Sequence, residues 1–496
     1  MKKILLTTII TTQLLRGIAS AQTISDSTLN NKLQTAIQQF TNTWVMRHAS
    51  VGVCVERVST GERLAAHNPE LSLTPASNTK LLTTATALGI LGDTFRFHTD
   101  LEIDGEQRGD TLFGNVYLKG YGDPTLGSPE ANGVLRMGSL LDNLAYKIKE
   151  LGIKKIVGKV VGDGTAFETG LVGEKWLYED LGNYYGAGIS ALNLHENFFY
   201  LKFRQNPQVG FPPKVESVEP QVPNFQVINE VTSAQGGGDN SYIFGVPYGS
   251  LTFVRGTIPA GDKLFSIKGA VTDPCLFAAW HLREKLKAWG VEVTDSAMSE
   301  LQRRQQGGYI TARRLVHRNF SPRLGDLIFE ANQESINLWC EAFLKAIDYR
   351  RTGIGSAQGG VREIKNFWGM KGVSTEGWFQ EDGSGLSPQN AVPPSRFTHL
   401  LRLAAKDSLI FPALYASLPR AGESGTMKSM LKKTQAVGRL RAKSGTLTRV
   451  KCYSGYVSAK NGELIAFSIM VNHYDGKHKD VREAIENLMK AFCEVL

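Results

Sequence analysis

Hydrophobic and polar positions fall into three textures along the chain. Between residues 24 and 44, Leu29, Leu33, Ile37 and Phe40 recur at helical spacing. Residues 51–55 form an apolar run of strand length, a turn follows at 59–62, and 63–67 reads as a second strand. A helix entered at Pro75 is expected over 77–91. From about Phe97 the pattern shortens to strands at 99–103, 111–119 and 156–162, with one helical stretch at 138–151. Residues 163–258 read as loop-rich, with Gly236-Gly237-Gly238 and a Pro-rich 211–223; a strand and a helix at 273–289 then lead out of this region. Helical spacing returns at 324–347 and, beyond the glycine-rich 353–360, at 395–406 and 426–433. Strands at 437–442, 451–457 and 464–472, with Asn461-Gly462 as a hairpin turn, and a helix at 479–494 close the chain.

The first and last thirds share one texture, helices beside strands, and the middle is β-rich. The expected architecture is an α/β domain with an antiparallel sheet flanked by helices, made of 22–97 and 312–496. A large insertion interrupts it, with 98–164 and 259–311 as one small domain and 165–258 as another.

Composition adds a compartment. The chain has 496 residues, 42% hydrophobic and 21% charged, as a globular protein does. Met1-Lys2-Lys3, a mainly apolar 4–15 interrupted by threonines, and Ala19-Ser20-Ala21 make residues 1–21 a secretory signal peptide, and Gln22 leaves no cysteine for lipid attachment. Export across the cytoplasmic membrane to the periplasm is expected. No later stretch approaches the ~18 continuous apolar residues of a membrane span. Lys2, Lys3 and Arg16 carry three of the nine net positive charges, so the mature chain keeps six. That is mild, and no dense basic run is interleaved with aromatics, which excludes nucleic acid as the expected partner. Five scattered cysteines, at 54, 275, 340, 452 and 493, contain no Cys-x-x-Cys and read as mostly buried thiols with room for one disulfide. The nine histidines show no metal-ligand spacing, and no cofactor or metal is expected.

Three short motifs carry chemistry. Ser77-x-x-Lys80 places a hydroxyl in the first turn of a helix and an amine one turn on, on the same face. A serine becomes a nucleophile when a base takes its proton, and a lysine serves once burial or nearby cations lower its pKa. Alone the motif is weak: Ser429-x-x-Lys432 repeats it. Ser335-Ile336-Asn337 stands beside a helix, and Lys443-Ser444-Gly445-Thr446 ends a strand. Together they supply what acyl transfer from a peptide needs. Ser77 attacks, Lys80 takes its proton, Ser335 relays a proton to the leaving nitrogen, and Asn337 holds a substrate amide and the Lys80 ammonium. Lys443, Ser444 and Thr446 offer charge and hydroxyls to a terminal carboxylate. Gly445 lets the substrate backbone lie on the strand edge. The N–H groups of Ser77 and Thr446 form the oxyanion hole.

The ordered set Ser-x-x-Lys, Ser-x-Asn, Lys-[Ser/Thr]-Gly is shared by penicillin-binding proteins and serine β-lactamases. About half the chain separates Ser77 from Ser335, whereas Asn337 and Lys443 lie much closer. With 119–124, 182–187, 256–259 and 382–387, this pattern resembles the class C low-molecular-mass penicillin-binding proteins, the D-alanyl-D-alanine carboxypeptidases and endopeptidases, over essentially the whole mature chain. The resemblance implies a transpeptidase-type domain with a β-rich insertion. It also implies cleavage of D-alanyl bonds in peptidoglycan stem peptides and cross-links, and covalent inhibition by β-lactams. Ser444 replaces the usual threonine but keeps the hydroxyl, and Ile336 replaces a common asparagine. Asp163 and Phe167 match positions that in relatives approach the diamino-acid end of the stem peptide; their plainer reading is a turn aspartate and a core phenylalanine. A serine β-lactamase shares the motifs but is normally compact. A non-catalytic peptidoglycan-binding protein has no need of all five motif side chains.

Overall fold

One antiparallel sheet joins the two ends of the chain. It has five strands, β1 (Ser50–Arg57), β2 (Arg63–His67), β3 (Leu440–Leu447), β4 (Val450–Ser458) and β5 (Leu464–Asn472), in the order β3-β4-β5-β1-β2. Ser50 lies opposite Asn472 and Arg57 opposite Ile465. The computed structural model describes residues 27–309 and 311–496. The expected signal peptide, 1–21, lies outside them.

Every residue of β4 but the last is buried, because helices cover both faces of the sheet. On one face pack α1 (27–41) and α8 (His478–Val495), through Leu33, Ile37, Phe40, Ile485, Met489 and Phe492. On the other lie α2 (Thr79–Leu91), α3 (Leu324–Glu334), α4 (Asn337–Thr352), α5 (Ala357–Met370), α6 (Pro394–Ala404) and α7 (Phe411–Ser417). α2 is central, with Thr79 to Leu88 all buried. Its threonines tolerate this because Thr84 and Thr86 donate to the carbonyls of Lys80 and Leu82, one turn back.

The insertion holds four further sheets. A five-stranded one runs Met298–Ser299, Val160–Asp163, Val116–Gly120, His98–Ile103, Arg314–Phe320. A four-stranded one includes Thr111–Phe113 and Lys155–Val157. Helices Met137–Glu150 and Pro274–Ala288 fill a shared core with them. Two three-stranded sheets are centred on Phe198–Arg204 and Leu251–Pro259.

Four expectations change. The strand at 111–119 is two strands in different sheets, broken at Gly114, where a Cβ would lie 2.2 Å from the Asp104 carbonyl oxygen. The loop-rich 163–258 contains five strands; in Lys214–Glu219 no residue is fully buried, so no apolar alternation marks it. The sheets also reach past the expected boundaries, since Leu264–Ala270 pairs with Phe198–Arg204 and Arg314–Phe320 with His98–Ile103. The helix at 426–433 is absent: one 3-10 turn, Gly425–Met427, is followed by left-handed residues at Leu431 (φ 57°) and Lys433 (φ 60°).

Candidate active site

The nucleophile turn is built on strained backbone. Ala76–Asn78 is a 3-10 turn leading into α2, and Ala76, just before Ser77, has φ 48°. Ser77 is half-buried, while Lys80 is fully buried behind it. Lys80 Nζ donates to Ser77 Oγ at 2.9 Å, to Asn337 Oδ1 at 2.6 Å and to the Ser384 carbonyl at 2.7 Å. Three acceptors suit an ammonium. Burial works against that charge and lowers the Lys80 pKa, while the carboxylates of Asp382 and Glu341 pull it part of the way back.

The second motif arrives from the junction of α3 and α4. Ser335 caps α3 in the left-handed region (φ 62°), which turns its side chain out of the helix row, and Asn337 begins α4. Asn337 Nδ2 donates to the Tyr185 carbonyl at 2.8 Å, so the insertion fixes which end of the amide faces Lys80. The third motif lies on the edge strand β3. Lys443 Nζ donates to Ser335 Oγ at 2.8 Å and to the Ser444 carbonyl at 2.9 Å. Its pKa falls well below the ordinary lysine value, first through complete burial and then through the charge of Lys80. Ser444 and Thr446 share the opposite face of the strand; Ser444 Oγ contacts Thr426 Oγ1 at 2.9 Å, and Thr446 is exposed.

Gly445 has a packing role beside the one expected. A Cβ there would lie 2.4 Å from the Pro75 carbonyl oxygen and 3.1 Å from the Ser77 amide nitrogen. The missing side chain thus lets β3 pack on the nucleophile turn. Asp163 bonds to none of the motif side chains. Its side chain is 2% exposed and ion-paired to Arg313 at 2.6 Å, and its other oxygen accepts from the Thr165 amide and hydroxyl. Burial raises its pKa, but the Thr165 bonds and the Arg313 charge outweigh that and leave it below the carboxylate range. The two bonds from Thr165 are those of a turn aspartate. Phe167 is buried, 2.5 Å from where a Cβ on Gly355 would be. Ser429 lies in the irregular turn, with its hydroxyl taken by Arg482.

Sequence reasoning missed the support beneath Lys80. Glu341, one turn along α4 from Asn337, accepts from the Gly383 and Ser384 amides and so aims the Ser384 carbonyl at Lys80. Burial, then the charge of Asp382, raises its pKa to about 7. Asp382 in turn accepts from Gly385, Ser387, Asn390 and Trp176. A carboxylate in an otherwise apolar stretch of helix was the available signal for Glu341; the carbonyls of Ser384 and Tyr185 carry none.

A half-exposed serine hydrogen-bonded to a buried lysine, with a second Ser–Lys pair on an edge strand, is the site of a serine peptidase of the penicillin-binding-protein class. The comparisons with known proteins agree. The sequence profile of the D-Ala-D-Ala carboxypeptidase 3 (S13) family matches residues 29–492. The chain is 30% identical over 441 residues to a D-alanyl-D-alanine carboxypeptidase of Actinomadura sp. (strain R39), covering 86% of this chain and 78% of that one. It is 28% identical over 442 residues to the D-alanyl-D-alanine carboxypeptidase DacB of Haemophilus influenzae, covering 86% of each. The crystal structure of penicillin binding protein 4 (dacB) from Haemophilus influenzae superposes with a TM-score of 0.79 at 25% identity, over 92% of this chain and 97% of that one. The chain belongs to the D-Ala-D-Ala carboxypeptidase 3 family, whose members are class C low-molecular-mass penicillin-binding proteins.

Proposed function

We propose that the protein is an exported, periplasmic D-alanyl-D-alanine carboxypeptidase and endopeptidase. It acts on peptidoglycan stem peptides and cross-links through an acyl-enzyme on Ser77, and penicillin acylates the same residue. The observation that carries this reading is the 2.9 Å contact between Lys80 Nζ and Ser77 Oγ, in a site that also gathers Ser335, Asn337 and Lys443. Neutral Lys80 takes the Ser77 proton as Oγ attacks the D-alanyl carbonyl. The carbonyl oxygen is received by the Ser77 and Thr446 amides. Ser335, polarised by Lys443, passes a proton to the leaving nitrogen. Water then hydrolyses the ester by the same route.

The test is labelling with a fluorescent penicillin. Ser77→Ala is expected to abolish it without unfolding the protein, since only a hydroxyl is lost. Ser429→Ala is expected to label normally. Persistent labelling of Ser77→Ala would remove Ser77 from its role.

A further inference from the structure

Lys451 is a buried cation that the three motifs leave unexplained. It stands directly across the β3–β4 ladder from Thr446 and shares its face of the sheet. The residue is 6% exposed, and its Nζ donates to Thr446 Oγ1 at 2.6 Å and lies 5.2 Å from the centre of the Tyr453 ring. Among the described residues no carboxylate is paired with it; the charged groups that act on it include Arg482, itself bonded to Glu486 and Ser429. A cation taken out of water without a counter-ion is costly. Burial first, with Arg482, lowers its pKa to about 8. An anion arriving from outside would offset that cost, and Thr446 faces outward.

The hydroxyl chemistry gives the direction. A threonine Oγ has one proton and two lone pairs. Lys451 occupies a lone pair of Thr446 from within, so the Thr446 proton is free to point away from it, to the open side. Ser444, two residues back, stands on the same face of β3. We propose that Lys451 is a positioning residue for the substrate's terminal carboxylate: it turns the Thr446 hydroxyl into a fixed outward donor and sets the preference for a free carboxylate over its neutral derivatives. This rests on the carboxypeptidase reading above and extends it to a residue outside the three motifs.

The experiment compares a synthetic tripeptide ending in D-Ala-D-Ala with its C-terminal amide. Lys451→Met is expected to raise KM for the free acid by about tenfold or more, the range of a lost charge-assisted hydrogen bond. It should leave kcat and the amide's kinetics within about twofold. Lys451→Arg is expected to restore most of the loss. In a Thr446→Val background Lys451→Met should add little, because the lysine acts through that hydroxyl. Equal losses on acid and amide, or additive losses in the double variant, would overturn the assignment. Acylation of Ser77 by a penicillin and by its carboxyl ester gives the same comparison without relying on peptide cleavage. If the wild type releases no D-alanine yet discriminates acid from ester through Lys451, the carboxypeptidase reading fails and this one holds. Thermal melts establish that each variant is folded; if Lys451→Met is not, Lys451→Gln takes its place.

Discussion

Lys80 has two demands on it. At rest it donates to Ser77, Asn337 and Ser384 as an ammonium, and as a base it must first be neutral. Burial is what brings the two states close, by lowering a pKa that is about 10.4 in water. The reactive form grows as pH rises, so penicillin acylation is expected to increase with pH and level off below the range of a free lysine. Its measurement as a labelling rate across mildly acid to alkaline buffers decides the matter: a flat profile would count against Lys80 as base. Lys80→Arg is expected to lower the rate by about 100-fold or more, because a guanidinium stays protonated. The same shift has a stability sign. Between the lowered native pKa values of Lys80 and Lys443 and the ordinary one, the unfolded chain binds more protons, so stability rises with pH through that window.

At the scale of elements, the site is a meeting of ends: the start of α2, the α3–α4 junction, the edge strand β3 and the 382–387 loop. α4 is the element that ties two of these together, with Asn337 toward Lys80 and Glu341 under the loop. Glu341→Ala leaves two buried amides without an acceptor, at a cost of about 1–3 kcal/mol. We expect a lower urea midpoint together with slower acylation, since the Ser384 carbonyl is no longer aimed. A lower midpoint with normal acylation would show that the loop holds its place unaided. The motif side chains and most outer elements were legible because periodicity and residue type both mark them. What escaped was held by other means. The 426–433 segment has helical spacing, but left-handed backbone at Leu431 and Lys433 prevents a helix. The insertion's outer strands are half-exposed, so burial never wrote an alternation into them. Backbone acceptors such as the Tyr185 carbonyl depend on chain path alone.

On the scale of the whole molecule, the insertion has its own electrostatic centre. Arg313 reaches Asp163 at 2.6 Å, Glu102 at 3.4 Å and Glu300 at 3.7 Å, with its guanidinium carbon 3.7 Å from the centre of the Tyr117 ring. Asp163→Ala is therefore expected to lower stability by about 1–3 kcal/mol and to leave penicillin acylation unchanged. It should also spare cleavage of stem peptides carrying a free diamino-acid amine. Unfolding curves alongside peptide assays separate the cases: an unchanged midpoint with selective loss on such peptides would return Asp163 to the substrate. The shared sheet has a further consequence, for biogenesis. β1 has β5 as a neighbour, and β5 is made only after the whole insertion has emerged. The nucleophile is thus translated early but acquires Lys443 late, whereas much of the insertion can pair its strands before then. A nascent chain that has not yet reached β3 carries Ser77 without Lys443, and such a chain is expected to be inactive until β3 and β5 join the sheet.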